Sequence, residues 1–161
     1  MTTIRTGLGY DIHKLVRGRD LLLGGILIPS PAGEAGYSDG DVLIHALIDA
    51  LLGAAALGDI GYHYPSGDPE YKDISSLTLL DDTIALVREK GYEVANIDAT
   101  VIIESPRLAP HIAEIRESLS AALSLPVDAV SVKAKTKEGL DATGECKSVE
   151  ALCSVLIDRI S

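Results

Sequence analysis

Apolar positions recur along this chain in two rhythms, and the changes of rhythm mark most of its elements. Residues 3–10 read as a strand running into a Gly-rich turn. Leu21 to Ile28 reads as a second strand, interrupted by Gly24-Gly25 and stopped by Pro29 and Pro31. Residues 30–40, with Pro, Gly and Ser throughout, read as loop. From about Asp41 to Leu57 the chain is apolar nearly all round, which predicts a helix buried on most sides. Ser38, with Asp41 three residues on, is an acidic variant of a capping box at its start, and Gly58 ends it. A second loop, 58–74, precedes a helix capped by Ser75 or Ser76 that runs to Lys90 and stops at Gly91. In 93–104, Ile97, Ala99, Val101 and Ile103 alternate onto one face of a strand, and 129–136 alternates likewise. Helices are predicted over about 110–124 and from about Lys147 to Ile160. The order β-β-α-α-β-α-β-α predicts an α+β two-layer sandwich: a single domain over residues 1–161, with one mixed four-stranded sheet covered by helices.

Composition narrows the function. The chain is 47% apolar with no Trp, no Phe and six Tyr, so its core is aliphatic. Fourteen Lys and Arg against 24 Asp and Glu give a net charge of −10, which excludes a general nucleic-acid binder. A bound phosphate must then be held by metals, backbone N–H groups or a few placed cations. Cys146 and Cys153 share a face of the predicted last helix, about two turns apart and too distant for a disulfide. They read as reduced core thiols of a cytoplasmic protein. Met1-Thr2-Thr3-Ile4-Arg5 lacks the apolar run of a leader. The longest apolar stretch, near 42–57, is broken by His45 and Asp49 and reads as a buried helix rather than a membrane span.

Four clusters have chemistry-bearing composition. Asp11-Ile12-His13 places two metal-competent side chains on one side of an extended segment, although a turn aspartate beside a surface histidine has the same sequence. His45 lies in the apolar helix, where a core histidine with a backbone partner is the plain alternative. Asp49, four residues on, is placed to accept the second ring N–H of a metal-bound His45. Three ligands leave a fourth zinc position open, as catalytic sites do. Asp59-Ile60-Gly61 and Tyr64 to Asp68 offer hydroxyl and backbone contacts to a ligand, or an ordinary Gly/Pro turn. Lys133 to Gly139 offers local positive charge, the Thr136 hydroxyl and the Glu138 carboxylate, or a solvated edge strand. Gly7-Leu8-Gly9 begins a dinucleotide fingerprint but has Ile12 where the third Gly belongs.

In order along nearly the whole chain, the segments Gly9-Tyr10-Asp11-Ile12-His13, Leu23-Gly24-Gly25, Ser38-Asp39-Gly40-Asp41, His45-Ala46-Leu47, the run from Asp49 to Gly61, Pro110-His111-Ile112 and Val132-Lys133-Ala134 with Thr136 and Glu138 resemble the 2-C-methyl-D-erythritol 2,4-cyclodiphosphate synthases of non-mevalonate isoprenoid biosynthesis. The resemblance implies a phosphorus–oxygen lyase. Its substrate, 4-diphosphocytidyl-2-C-methyl-D-erythritol 2-phosphate, closes to the cyclic diphosphate with loss of CMP. It implies a homotrimer with active sites between subunits, zinc on Asp11, His13 and His45, and a magnesium or manganese ion held by Glu138 across the diphosphate. Thr136 and Tyr37 would act at the reacting phosphates. Asp11, Ile12, His13, Tyr37, Ser38, Asp59, Ile60 and Gly61 would meet substrate, with Tyr64, Pro65, Ser66, Gly67 and Asp68 at the methylerythritol. Ile103, Arg107, Leu108 and Ala109 would form the cytosine and phosphate pocket from the adjacent subunit, and Lys135, Thr136, Lys137 and Glu138 would also bind substrate. The chain departs from the family pattern at Tyr37, where members usually have His, and at Arg107, where they usually have Lys. It departs again at 141–145, which lacks the family's common aromatic and Arg. Two other readings share these residues: a zinc phosphoesterase and a non-catalytic trimeric metal-binding protein.

Overall fold

A computed structural model describes residues 3–160; Met1 and Thr2, part of the leader reading, lie outside them, as does Ser161. Seven strands are present: β1 (Arg5–Arg17), β2 (Leu21–Leu23), β3 (Ile26–Ile28), β4 (Ala32–Glu34), β5 (Tyr92–Ile102), β6 (Val130–Lys135) and β7 (Ser148–Arg159). The helices are α1 (Val42–Ala54), α2 (Ile60–His63), α3 (Ser76–Glu89), α4 (Ile112–Leu123) and α5 (Asp141–Gly144). The main sheet has five strands in the order β4-β1-β7-β5-β6, with β5 and β6 parallel and the other pairs antiparallel. Strands β2 and β3 form a separate hairpin. Its turn is Gly24-Gly25, both at positive φ, a pair that glycine adopts without steric cost and that suits a two-residue hairpin. The α+β architecture is as expected, but Leu21 to Ile28, expected as one strand of the sheet, folds into this separate hairpin, and the sheet takes in two unexpected strands, β4 and β7.

The longer of the two added strands is the C-terminal segment. Residues 148–159 form β7 rather than a helix. Its apolar residues satisfy a helical spacing (Val149, Leu152, Cys153, Leu156) and a period of two (Val149, Ala151, Cys153, Val155, Ile157). The second set is buried, and β7 sits between β1 and β5, which pair with both its edges. Cys153 is therefore a core residue and Cys146 an exposed one; both are free thiols, and they share no helix face.

Smaller corrections follow the same logic. β1 continues to Arg17, so Asp11 and His13 lie inside a strand. Residues 32–34 add an edge strand to the predicted loop. Helix α1 is capped by Asp41, which accepts from the N–H of Ile44, not by Ser38. At α3 the N-cap residue Ser75 makes no side-chain cap bond; Asp39, from the distant 36–41 loop, accepts from the N–H of Ser76.

Helices α1, α3 and α4 cover one face of the sheet. Alternation along β1 turns Gly7, Gly9, Asp11 and His13 toward α1, and leaves Leu8, Tyr10 and Ile12 on the far face, 70%, 49% and 46% exposed. Gly7-x-Gly9 is thus a packing device, not a nucleotide signature. A Cβ at Gly7 would lie 1.9 Å from the carbonyl oxygen of Ala50, and one at Gly9 1.9 Å from that of Ala46. Without those Cβ atoms α1 lies directly against the β1 backbone, which brings His45 down to Asp11 and His13.

Candidate metal centre and substrate site

Asp11, His13 and His45 converge. Each offers one ligand atom, and the three atoms lie within 4.8 Å of one another. Asp11 Oδ2 is 3.1 Å from His13 Nε2 and 3.2 Å from His45 Nδ1, and the two rings stand nearly perpendicular. Burial opposes ionisation of Asp11, but hydrogen bonds from both histidines hold its carboxyl well below the ordinary carboxylate range. Burial likewise opposes protonation of His13, and the bond to Asp11 prevails and raises its pKa.

The surroundings of the rings test whether a metal fits. His13 Nδ1 lies 2.6 Å from the carbonyl oxygen of Gly40. A carbonyl only accepts, so Nδ1 carries a hydrogen; in the imidazolium Nε2–H donates to Asp11, and once that proton is lost Nε2 presents a lone pair toward the carboxylate. An anionic oxygen and a ring lone pair directed into the same space repel unless a cation lies between them. The donor set of one carboxylate and two imidazoles suits zinc and its neighbours among the divalent transition metals. The expected role of Asp49 does not hold: its Oδ1 accepts from the N–H of Ile60 at 3.1 Å and so fastens the start of α2. His45 Nε2 instead lies 2.9 Å from Ser76 Oγ and 3.1 Å from Ser38 Oγ.

A hollow of about 220 Å³ opens beside the triad, lined by His13, Tyr37, Ser38, His45, Ile60, Gly61, Tyr64 and Ser66, and also by Tyr71 and Leu79. Of the residues expected here, Asp59 is an exposed cap of α2 that accepts from Tyr62 N. Pro65, Gly67 and Asp68 are exposed beside the rim, with Asp68 capping the 3-10 turn Pro69–Tyr71. The Tyr64 hydroxyl bonds to Leu79 and Thr83 inside the fold, so the ring rather than the OH faces the hollow. Ile12 points the other way, onto the far face of the sheet. Sequence reasoning missed Gly40, Tyr71, Ser76 and Leu79; the Gly7-x-Gly9 spacing was the signal for the helix that assembles the site.

A second hollow, of about 190 Å³, lies at the C-terminal ends of β5 and β6, lined by Ile103, Glu104, Pro106, Arg107, Leu108, Ala109, Ala134, Lys135 and Thr136. It shares no residue with the first. Just beyond it Thr136 Oγ1 donates to Glu138 Oε1 at 3.0 Å. The Lys137 ammonium is paired with Asp141 and Glu150, at 3.1 and 3.2 Å.

A sequence model of the YgbB family matches residues 4–158. The chain belongs to the YgbB family. Among family relatives, the 2-C-methyl-D-erythritol 2,4-cyclodiphosphate synthase of Gloeobacter violaceus is 54% identical, the alignment covering 97% of this chain and 96% of the relative. A solved 2C-methyl-D-erythritol-2,4-cyclodiphosphate synthase in a CDP-bound form superposes with a TM-score of 0.89 at 41% identity, over 96% of this chain and all of that one. The bifunctional IspDF of Campylobacter jejuni superposes with a TM-score of 0.94 at 40% identity, over 98% of this chain and 43% of that longer one. The YgbB fold thus carries the five-stranded sheet, and with it the strand that sequence periodicity misassigned.

One further buried group belongs to this neighbourhood. Glu34 is fully buried; its Oε1 accepts from Val42 N, the first residue of α1, and its Oε2 is buried with no partner among the described residues. Burial and the nearby charge of Asp41 push its carboxyl up to about 10, so it is a neutral acid at ordinary pH.

Proposed function

We propose that this chain is a 2-C-methyl-D-erythritol 2,4-cyclodiphosphate synthase, a phosphorus–oxygen lyase of non-mevalonate isoprenoid biosynthesis, with zinc as its triad metal. The observation that carries this is the convergence of Asp11, His13 and His45 beside an open hollow, in a YgbB-family chain. The 2-phosphate oxygen of 4-diphosphocytidyl-2-C-methyl-D-erythritol 2-phosphate bonds to the β-phosphorus. The bond from that phosphorus to the bridging oxygen breaks, and CMP leaves with the electron pair. Zinc, and a magnesium or manganese ion held by Glu138, supply charge neutralisation and alignment when bound. The attacking phosphate is already ionised near neutral pH, so the chain needs no nucleophile of its own.

The chain's own groups position the reactants. Tyr37 and Ser38 offer hydroxyls at the wall of the triad hollow, and Ile60, Gly61 and Ser66 shape the space for the methylerythritol. Thr136, with Lys135 and Arg107, offers a hydroxyl and two cations to the diphosphate and cytosine side. Lys137, tied to acids, acts by holding the 136–141 turn. Tyr37 retains a donor where the family usually has His. Tyr37→Phe is expected to lower kcat by about 100-fold, the low end of what a positioned proton donor contributes, with zinc content unchanged. Wild-type kcat in that variant removes the hydroxyl from the reaction.

The two hollows have no residue in common, which supports an active site completed by a neighbouring copy. The uncovered sheet face, with Leu8, Tyr10 and Ile12 exposed, offers the apolar surface for a homotrimer. Leu8→Asp is expected to shift native mass from trimer toward monomer and to lower turnover; an unchanged mass places the interface elsewhere. Among the described residues no helix is long and apolar enough to cross a membrane. The two free thiols fit a cytoplasmic enzyme.

Incubation with the cytidyl substrate tests the function. Cyclic diphosphate with CMP is the expected pair of products. Linear hydrolysis products would make the protein a phosphoesterase, and bound zinc without turnover would make it a binding protein.

A further inference from the structure

The ring of His45 is held from behind by residues that touch neither the hollow's expected ligand nor the metal. Ser76, the first residue of α3, is fully buried, and its Oγ lies 2.9 Å from His45 Nε2. The same hydroxyl donates to Asp39 Oδ1 at 2.5 Å. Asp39 is itself fixed: Oδ2 accepts from the N–H of Ser76 at 2.9 Å, and Oδ1 lies 3.3 Å from the N–H of Asp41. A hydroxyl has one hydrogen. Once that hydrogen points to Asp39, only lone pairs remain for His45, so Nε2 must be the N–H nitrogen. In the neutral ring the other nitrogen, Nδ1, then presents its lone pair 3.2 Å from Asp11 Oδ2. Ser38 Oγ, 3.1 Å from Nε2, accepts from Gly40 N and takes a share of the same ring N–H.

We infer that Asp39 and Ser76 are positioning residues that select the Nε2–H form of His45 and so pre-set its Nδ1 as a metal ligand. This rests on the reading of Asp11, His13 and His45 as the zinc site. The chain Asp39–Ser76–His45 is an outer-sphere support of the kind that raises metal affinity by orienting a ligand. It also explains why α3 is capped by a carboxylate from the 36–41 loop: the same carboxylate that ends the helix sets the direction of the serine hydroxyl.

The direction of the hydroxyl gives a test that a capping role alone fails. In Asp39→Asn the amide oxygen takes the Ser76 N–H, and its NH2 donates to Ser76 Oγ. The serine hydrogen then turns to His45 Nε2 and favours the Nδ1–H form, which has no lone pair for the metal; an Asp-to-Asn change reverses a histidine tautomer in this way in serine proteases. Zinc affinity of the full-length chain, measured by chelator competition, is expected to fall about 10- to 100-fold in Asp39→Asn. Ser76→Ala, which leaves Ser38 to accept the N–H, is expected to cost less. In the Ser76→Ala background, Asp39→Asn is expected to add almost nothing, because its effect passes through the serine. Ring-nitrogen NMR of the zinc-free chain at alkaline pH provides a second readout: Nε2–H for His45 in the wild type and Nδ1–H in Asp39→Asn. Equal zinc losses for Asp39→Asn in both backgrounds, or an unchanged tautomer, overturn the inference and leave Asp39 as a helix cap. A wild-type chain that holds no zinc defeats the metal reading instead, and the tautomer measurement still judges the relay.

Discussion

Asp11→Ala and His45→Ala are each expected to leave the purified protein without zinc and to lower turnover by well over a hundredfold. The magnitude follows from position. Partners one step outside a metal site cost about 10- to 100-fold when removed, and a direct ligand costs more. Each substitution also changes the remaining charge balance in an informative way. Removing Asp11 leaves two imidazoles facing each other with no anion between them, and only the Gly40 carbonyl and the charge of Asp41 then offset the burial that opposes protonation of His13. Removing His45 leaves the Asp11–His13 pair intact at 3.1 Å but opens the α1 side of the site. Elemental analysis of both variants checks the outcome; stoichiometric zinc in either one takes that residue out of the metal site.

Glu34→Gln is expected to stabilise the fold, and to do so more as the pH rises. The folded-state pKa of Glu34 is raised from its ordinary 4.5 to about 10. Between those values the folded state holds a proton that the unfolded state releases, so stability drains away as pH rises through that window. At pH 7, about 2.5 pH units above the ordinary value, the cost is at most about 3–4 kcal/mol at 1.36 kcal/mol per unit. Gln keeps an oxygen for the N–H of Val42 and has no proton to lose. The measured Tm difference between variant and wild type should therefore be small near pH 5 and should widen by several degrees toward pH 8. A difference that stays flat with pH would mean that the carboxyl ionises in place.

Much of the fold was legible because the relevant signals are local. The Asp41–Leu57 run, the alternation of Ile97, Ala99, Val101 and Ile103, and the strand at 130–135 each carry their own periodicity, and each forms as expected. The last segment did not, because Val149 to Ile157 satisfies both rhythms. Its choice is made by β1 and β5, which lie far away in sequence and offer it two hydrogen-bonding edges. The site divides in the same way. Asp11, His13 and His45 were identifiable as metal-competent side chains, and the structure unites them. The supports of those side chains were not. Asp49 had the right spacing for His45 on the helix but bonds to Ile60, whereas Ser76, 31 positions away, has no spacing that a one-dimensional pattern can register.

Strand β1 carries Asp11 and His13 on its odd positions and the uncovered apolar row on its even ones. Inserting or deleting one residue between Gly9 and Asp11 would therefore do more than lengthen or shorten a strand. If Asp11 and His13 kept their places, the glycines would change sides, and Leu8 would be driven into the space where Ala46 and Ala50 meet the β1 backbone. If the glycines kept theirs, Asp11 and His13 would be carried to the far side and Ile12 would face His45. Either shift damages both surfaces at once, so in this strand the count of residues is as constrained as their identity.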